Sequence, residues 1–204
     1  DDELKGLYAT VESMDDVALD RWFSTTHHLY EGAYGQDLFP QVIADFEIDE
    51  GSEDQMDLAT LVSILEMTEP AQVYAVTAEM VDWPEVLAAM ATEIFIGHWD
   101  GYAPTRNNYF LHFDDNGRLS LLPWGTDQTF RDNREFHFGQ GRLLTLCFAS
   151  LACRAAYDAT LVVVADRVDE IGLVNGLDDR ARVLAPFWEQ DPFGLGEVAA
   201  FEGE

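Results

Sequence analysis

Basic side chains are scarce in this chain. Of 204 residues, 11 are Lys or Arg against 39 Asp or Glu, giving a formal net charge of −28. The only lysine is Lys5. A phosphate backbone or an anionic lipid surface would be repelled by such a chain, and no basic stripe offsets the repulsion, which excludes general nucleic-acid binding. The same surplus of acid suits a well-solvated surface and basic protein partners. No apolar run approaches the ~20 residues that span a bilayer, and no secretory leader is visible. Neither a Gly-x-Ser-x-Gly nor a His-Glu-x-x-His motif occurs, so serine-hydrolase and zinc-protease chemistry has no support. A Gly-x-Gly-x-x-Gly phosphate loop is missing as well. There are two cysteines, Cys147 and Cys153. Six positions apart, they do not form a Cys-x-x-Cys redox or zinc pair. Their spacing suits a local disulfide across a helix–helix turn in an oxidising compartment; the other reading is two buried thiols.

Apolar material is plentiful. Hydrophobic residues make up 48% and aromatics 12% of the chain, enough to build a core and to exclude global disorder. Residues 6–12 alternate like a strand, and Asp15-Asp16 opens a helix over 17–23 with an acidic first turn. Residues 27–32 read as a second strand running into a glycine turn. The acid-dense stretch 45–57 lacks the Asp-x-Asp-x-Asp-Gly order of a calcium loop and reads as an exposed acidic loop. A helix is expected over 58–66. Another starts at Asp82-Trp83-Pro84, with proline in the first turn, and is apolar almost throughout 86–95. Residues 107–113 and 119–122 form a hairpin around an Asp-Asp-Asn-Gly turn at 114–117. Helices follow over 141–150 and 151–170, and a short one over 178–184 stops at Pro186. The order predicts an α+β domain: a small sheet, a buried helix, a hairpin, then helices.

The hairpin carries the candidate site. Asp100 precedes its first strand, the Asn107–Asn108 pair begins that strand, and Asp127 follows the second strand. The turn brings all four to one open end. Two carboxylates with carboxamide oxygens suit a hard cation such as Mg²⁺. Phosphoryl transfer asks the protein for positioning and charge neutralisation, which these groups supply. The competing reading is structural: Asp100 in a turn, Asn107 capping a strand, Asp127 capping a helix. His27-His28 is a tempting metal pair, but strand alternation places adjacent side chains on opposite faces, against joint ligation. His98 reads as a structural hydrogen-bonding residue, and His112 and His137 have no partner visible in sequence.

Three motifs in this region carry a family likeness: Gly-His-Trp-Asp-Gly-Tyr at 97–102, Asn-Asn-Tyr-Phe-Leu at 107–111 and Leu-Pro-Trp-Gly-Thr-Asp-Gln-Thr-Phe at 122–130. Together they resemble the signature region of the spore-coat CotH kinase family, and the likeness extends over most of residues 5–165. It implies an atrophied protein-kinase-like fold that phosphorylates Ser or Thr of secreted or coat proteins, using ATP with Mg²⁺ or Mn²⁺. It further implies Asp100 as the catalytic-loop aspartate and Asp127 as a metal ligand. Asn107 and Asn108 would contact metal or phosphate. The expected partner is a protein substrate, basic and Ser-rich, and the expected location is extracytoplasmic. Where the family often carries Trp-Asp-x-Asp, this chain has Trp124-Gly125-Thr126-Asp127. The chain reads as a piece of a longer polypeptide, with the basic residue that grips ATP phosphates expected before Asp1. Residues 171–204 are expected to form a helical C-terminal extension of the kinase-like domain.

Overall fold

A computed structural model of the chain describes residues 9–130, 135–188 and 190–191. Two compact units divide it: residues 14–166, and residues 1–13 with 167–204.

The larger unit is organised around one antiparallel sheet. Helix α1 (Asp16–Trp22) is capped by Asp15, whose carboxylate accepts the Ala18 N–H at 3.1 Å. Strand β1 (His28–Gly32) follows, then β2 (Glu47–Glu50), α2 (Met56–Met67) and the single turn α3 (Val73–Val76). Helix α4 (Trp83–Phe95) starts at the Asp82 cap with Pro84 in its first turn. After the short α5 (Tyr102–Thr105) come the hairpin strands β3 (Tyr109–Phe113) and β4 (Leu119–Pro123). Helices α6 (Arg142–Ala149) and α7 (Leu151–Glu170) meet at a bend of 115°. A Cys147–Cys153 disulfide ties the bend. Among the described residues no single helix is long and apolar enough to cross a membrane.

The strand order is β2-β1-β3-β4, with every neighbouring pair antiparallel. Strand alternation sorts the sheet into two faces. Tyr109, Leu111 and Phe113 of β3 face the main core with Tyr30, Leu119 and Leu121, against α2, α4 and α6. Phe110 faces the other way, into a small cluster with Leu29 and Leu19. Helix α4 presents Val86, Leu87, Met90, Ala91 and Ile94 as one buried stripe at helical spacing. Burying each large side chain of that stripe contributes about 1.5–3 kcal/mol.

Three expectations are corrected. Residues 9–12 lie outside any strand and are exposed; 6–8 fall outside the described residues. The fourth strand instead comes from the acid-dense stretch, where β2 pairs Ile48 with Tyr30. Its acids are what an edge strand tolerates, because charge on a free edge discourages further pairing. In the smaller unit, α8 (Leu177–Trp188) does not stop before Pro186 but continues to Trp188. Proline lies in the last turn there, where its missing N–H costs the helix a single terminal bond.

Candidate functional site

The chain leaves α4 through Gly97, which takes φ +64°, and enters a loop that carries His98, Trp99 and Asp100. Asp100 is half-buried and held from two sides. Asn107 donates its amide to Oδ1 at 3.0 Å, and Asn108 donates to Oδ2 at 3.0 Å. The Asn108 amide also reaches the Asp100 carbonyl oxygen at 3.0 Å. Backbone strain concentrates on the same turn. Arg106 and Asn108 adopt φ +58° and +47°, left-handed values that are uncommon outside glycine. Asparagine tolerates that region better than most residues, and it is the Asn108 backbone in this conformation that carries its amide to Asp100.

The segment after β4 is knitted to this loop by three bonds. Trp124 donates its N–H to the Asn108 carbonyl at 2.8 Å, and Phe130 donates to the Ile96 carbonyl at 2.8 Å. Between them, His98 Nδ1 donates to the Gln128 carbonyl at 3.3 Å. Asp127 therefore lies in an exposed turn between fixed anchors, its Oδ2 accepting from the Gln128 side chain at 3.1 Å. Gly125, with φ +55°, lies against Asn108: a Cβ there would come within 3.0 Å of the Asn108 amide carbon. The hairpin thus brings the Asp100 loop and the Asp127 turn to one end, with Asp100, Asn107 and Asn108 in direct contact and Asp127 on the adjoining strand exit.

Two buried carboxylates support the loop from beneath, and sequence reasoning missed both. Glu93 lies on the apolar stripe of α4, three residues after Met90, and is 1% exposed. Its carboxylate accepts the Ala103 N–H at 2.8 Å and the Tyr102 N–H at 3.2 Å, the free amides at the start of α5. Burial pushes its carboxyl up to about 8, against the two amides that pull it down. Gly101 leaves room for this contact, since a Cβ there would stand 2.7 Å from the Glu93 carboxylate and from the His98 ring. The second carboxylate is Asp37. It accepts from the Arg142 N–H at 2.7 Å, the Leu38 N–H at 2.8 Å and the Tyr102 hydroxyl at 3.0 Å. Burial raises its carboxyl above the usual range despite these donors. The sequence does hold a signal for Glu93: an acid at a core position of an otherwise apolar helix. Asp37 sits in a loop with no periodicity to betray its burial.

His98 is buried and makes the hydrogen bond expected of it, to the Gln128 carbonyl. Its Nδ1–H bond fixes the tautomer, and its buried Nε2 has no hydrogen-bond partner among the described residues. His112 is stacked on Phe23, with ring centroids 3.7 Å apart, and its Nε2 meets the Thr26 hydroxyl at 3.0 Å. His137 pairs with Asp158 at 2.6 Å. His27 and His28 do share a neighbourhood, contrary to the alternation argument. His27 precedes the strand, and the two rings meet edge to face at 4.5 Å.

The donor set suits a hard cation. All three Asn amide bonds point at Asp100, so among the described residues the Asn107 and Asn108 carbonyl oxygens are uncommitted, as is Oδ1 of Asp127. Oxygen ligands of this kind fit Mg²⁺ or Mn²⁺ rather than a thiophilic metal.

Among curated proteins, no relative matches the chain. A comparison with known families matches residues 1–157 to the family described as CotH kinase protein. That match spans more than half of the chain and includes the Asp100 loop, the hairpin and the Asp127 turn: the chain belongs to the CotH kinase protein family.

Proposed function

We propose that this chain is the site-bearing part of an atypical protein kinase with a reduced kinase-like fold, which transfers the γ-phosphoryl group of ATP to a Ser or Thr hydroxyl of an extracytoplasmic or coat protein. The observation that carries this reading is the clamp on Asp100: two amides grip its carboxylate, and the Asp127 turn is bonded to the same loop. The kinase-like character of the family supports it, and the disulfide is compatible with an oxidising location.

In this reading Asp100 orients the acceptor hydroxyl and takes its proton. The clamp leaves each carboxylate oxygen one free lone-pair direction, enough for one hydroxyl in a fixed geometry. Asp127 would hold the divalent metal together with the carbonyl oxygen of Asn107 or Asn108. Bound there, Mg²⁺ or Mn²⁺ would supply neutralisation of phosphate charge. Glu93 and Gly101 keep the loop in place, and the αL turn at Arg106–Asn108 keeps both amides aimed. A basic, Ser-rich substrate would be drawn to the strongly acidic surface.

The test is transfer of labelled phosphate from ATP to a basic, Ser-rich protein in the presence of Mg²⁺ or Mn²⁺. Asp100→Asn is expected to lower the rate by about a hundredfold or more, the usual worth of a general base. Asp127→Ala is expected to raise the metal concentration needed for half-maximal rate. Equal transfer by wild type and Asp127→Ala at all metal concentrations would overturn the metal assignment.

A further inference from the structure

A second group of ligand-bearing side chains converges at the opposite end of the sheet. His28 opens β1 and is fully buried; His27, just before it, has its side chain 48% exposed; Asp57 lies in the first turn of α2. One potential ligand atom from each lies within 4.8 Å of the others. The direct contacts are tight. His28 Nδ1 donates to Asp57 Oδ2 at 2.7 Å, and His28 Nε2 donates to the Ser52 carbonyl at 3.0 Å. The other Asp57 oxygen accepts from the Tyr30 hydroxyl at 2.7 Å and from the Leu58 N–H at 2.6 Å. Gly51, at φ +112°, lets the β2–α2 loop lie on the ring: a Cβ there would stand 2.2 Å from His28 Cδ2. Two further carboxylates stand outside this group. Asp54 accepts from the Ser52 hydroxyl at 2.6 Å, and Asp115 lies 4.0 Å from His27 Nδ1.

We propose that His27, His28 and Asp57 form a zinc-type metal site that staples the start of β1 to α2. Two imidazoles and one carboxylate, with an open fourth position, match the donor set of Zn²⁺ rather than the all-oxygen set of Mg²⁺. Zinc bonds of about 2.0–2.2 Å at tetrahedral angles hold two ligand atoms about 3.3 Å apart. The ion takes the place of the Nδ1 proton, which is released to solvent, and the His28–Asp57 pair, now at 2.7 Å, widens by roughly half an ångström. Outer contacts are already built. Tyr30 and Leu58 orient Asp57, and Ser52 orients His28 through its second nitrogen, as supporting groups do around bound zinc. His27 is exposed and gives the ion its path from solvent. The site is separate from the Asp100 cluster. β1 pairs His28 with Phe113 and Gly32 with Tyr109, so the length of β3, four steps or roughly 13 Å, separates it from the end that carries Asn108.

The test is calorimetric titration of the chelator-treated protein with Zn²⁺ in excess Mg²⁺, with Co²⁺ absorption reporting tetrahedral imidazole ligation. One equivalent is expected to bind and to raise the melting temperature. His27→Ala removes an exposed ligand without disturbing the buried pair, so the variant folds. It is expected to weaken binding by at least about a hundredfold, the upper range for loss of a mere supporting group. Asp127→Ala is expected to bind Zn²⁺ as wild type does, whatever becomes of phosphoryl transfer. No saturable binding, binding undiminished in His27→Ala, or binding lost in Asp127→Ala would each overturn the proposal.

Discussion

The side-chain amide of Asn108 donates both to the carboxylate and to the backbone carbonyl of Asp100, each at 3.0 Å. One group therefore fixes the rotamer of the aspartate and the path of its loop. Asn108→Gly keeps the left-handed backbone at φ +47° and removes only the amide. Loss of hydrogen bonds to a charged group is expected to cost about 1.5–3 kcal/mol in urea unfolding. Asn108→Ala, strained at that φ as well, is expected to cost more. If the glycine variant is as stable as wild type, the clamp contributes nothing to the fold.

Glu93 makes stability fall as pH rises. Its folded carboxyl titrates near 8, above the ordinary value of 4.5. Below about pH 4.5 the group is protonated in both states and the penalty vanishes. Between 4.5 and 8 the unfolded state releases the proton first, so folding loses ground as pH rises, and above 8 the loss levels off. Glu93→Gln removes this titration while keeping one acceptor for the α5 amides. The variant is expected to show a flatter dependence of unfolding free energy on pH between 5 and 8, measured by urea denaturation. Parallel curves for the two proteins would contradict the assignment.

His112 acts in the opposite pH direction. Burial beneath Phe23 pushes its imidazole down to about 4 from 6.5, although Asp114 opposes the shift. Stability from this group is complete above pH 6.5 and is lost as pH falls toward 4, because the unfolded state takes up the proton first. His112→Gln is expected to reduce the acid sensitivity of the melting temperature over that window. An NMR titration placing the His112 midpoint at or above 6.5 would contradict it.

Several local signals were in the sequence: the helix starts at Asp15-Asp16 and Asp82, the Asp-Asn-Gly hairpin, the apolar stripe of α4, the helix limits around the cysteines. Each depends on neighbours within a few residues, where propensity and periodicity act. The same holds for the meeting of Asp100 with Asn107 and Asn108, because these positions lie within eight residues of one another at one end of the hairpin. Tertiary structure decided the rest. β2 took the edge of the sheet because β1 needed a partner on that side, and its acids disguised it as a loop. Glu93 and Asp37 became buried supports because distant amides from α5 and α6 arrived to satisfy them. His27 and His28 met because the strand begins one residue later than the alternation argument assumed. Burial and hydrogen-bond satisfaction are properties of the assembled chain, and a carboxylate or imidazole carries no mark in sequence of which amides will reach it.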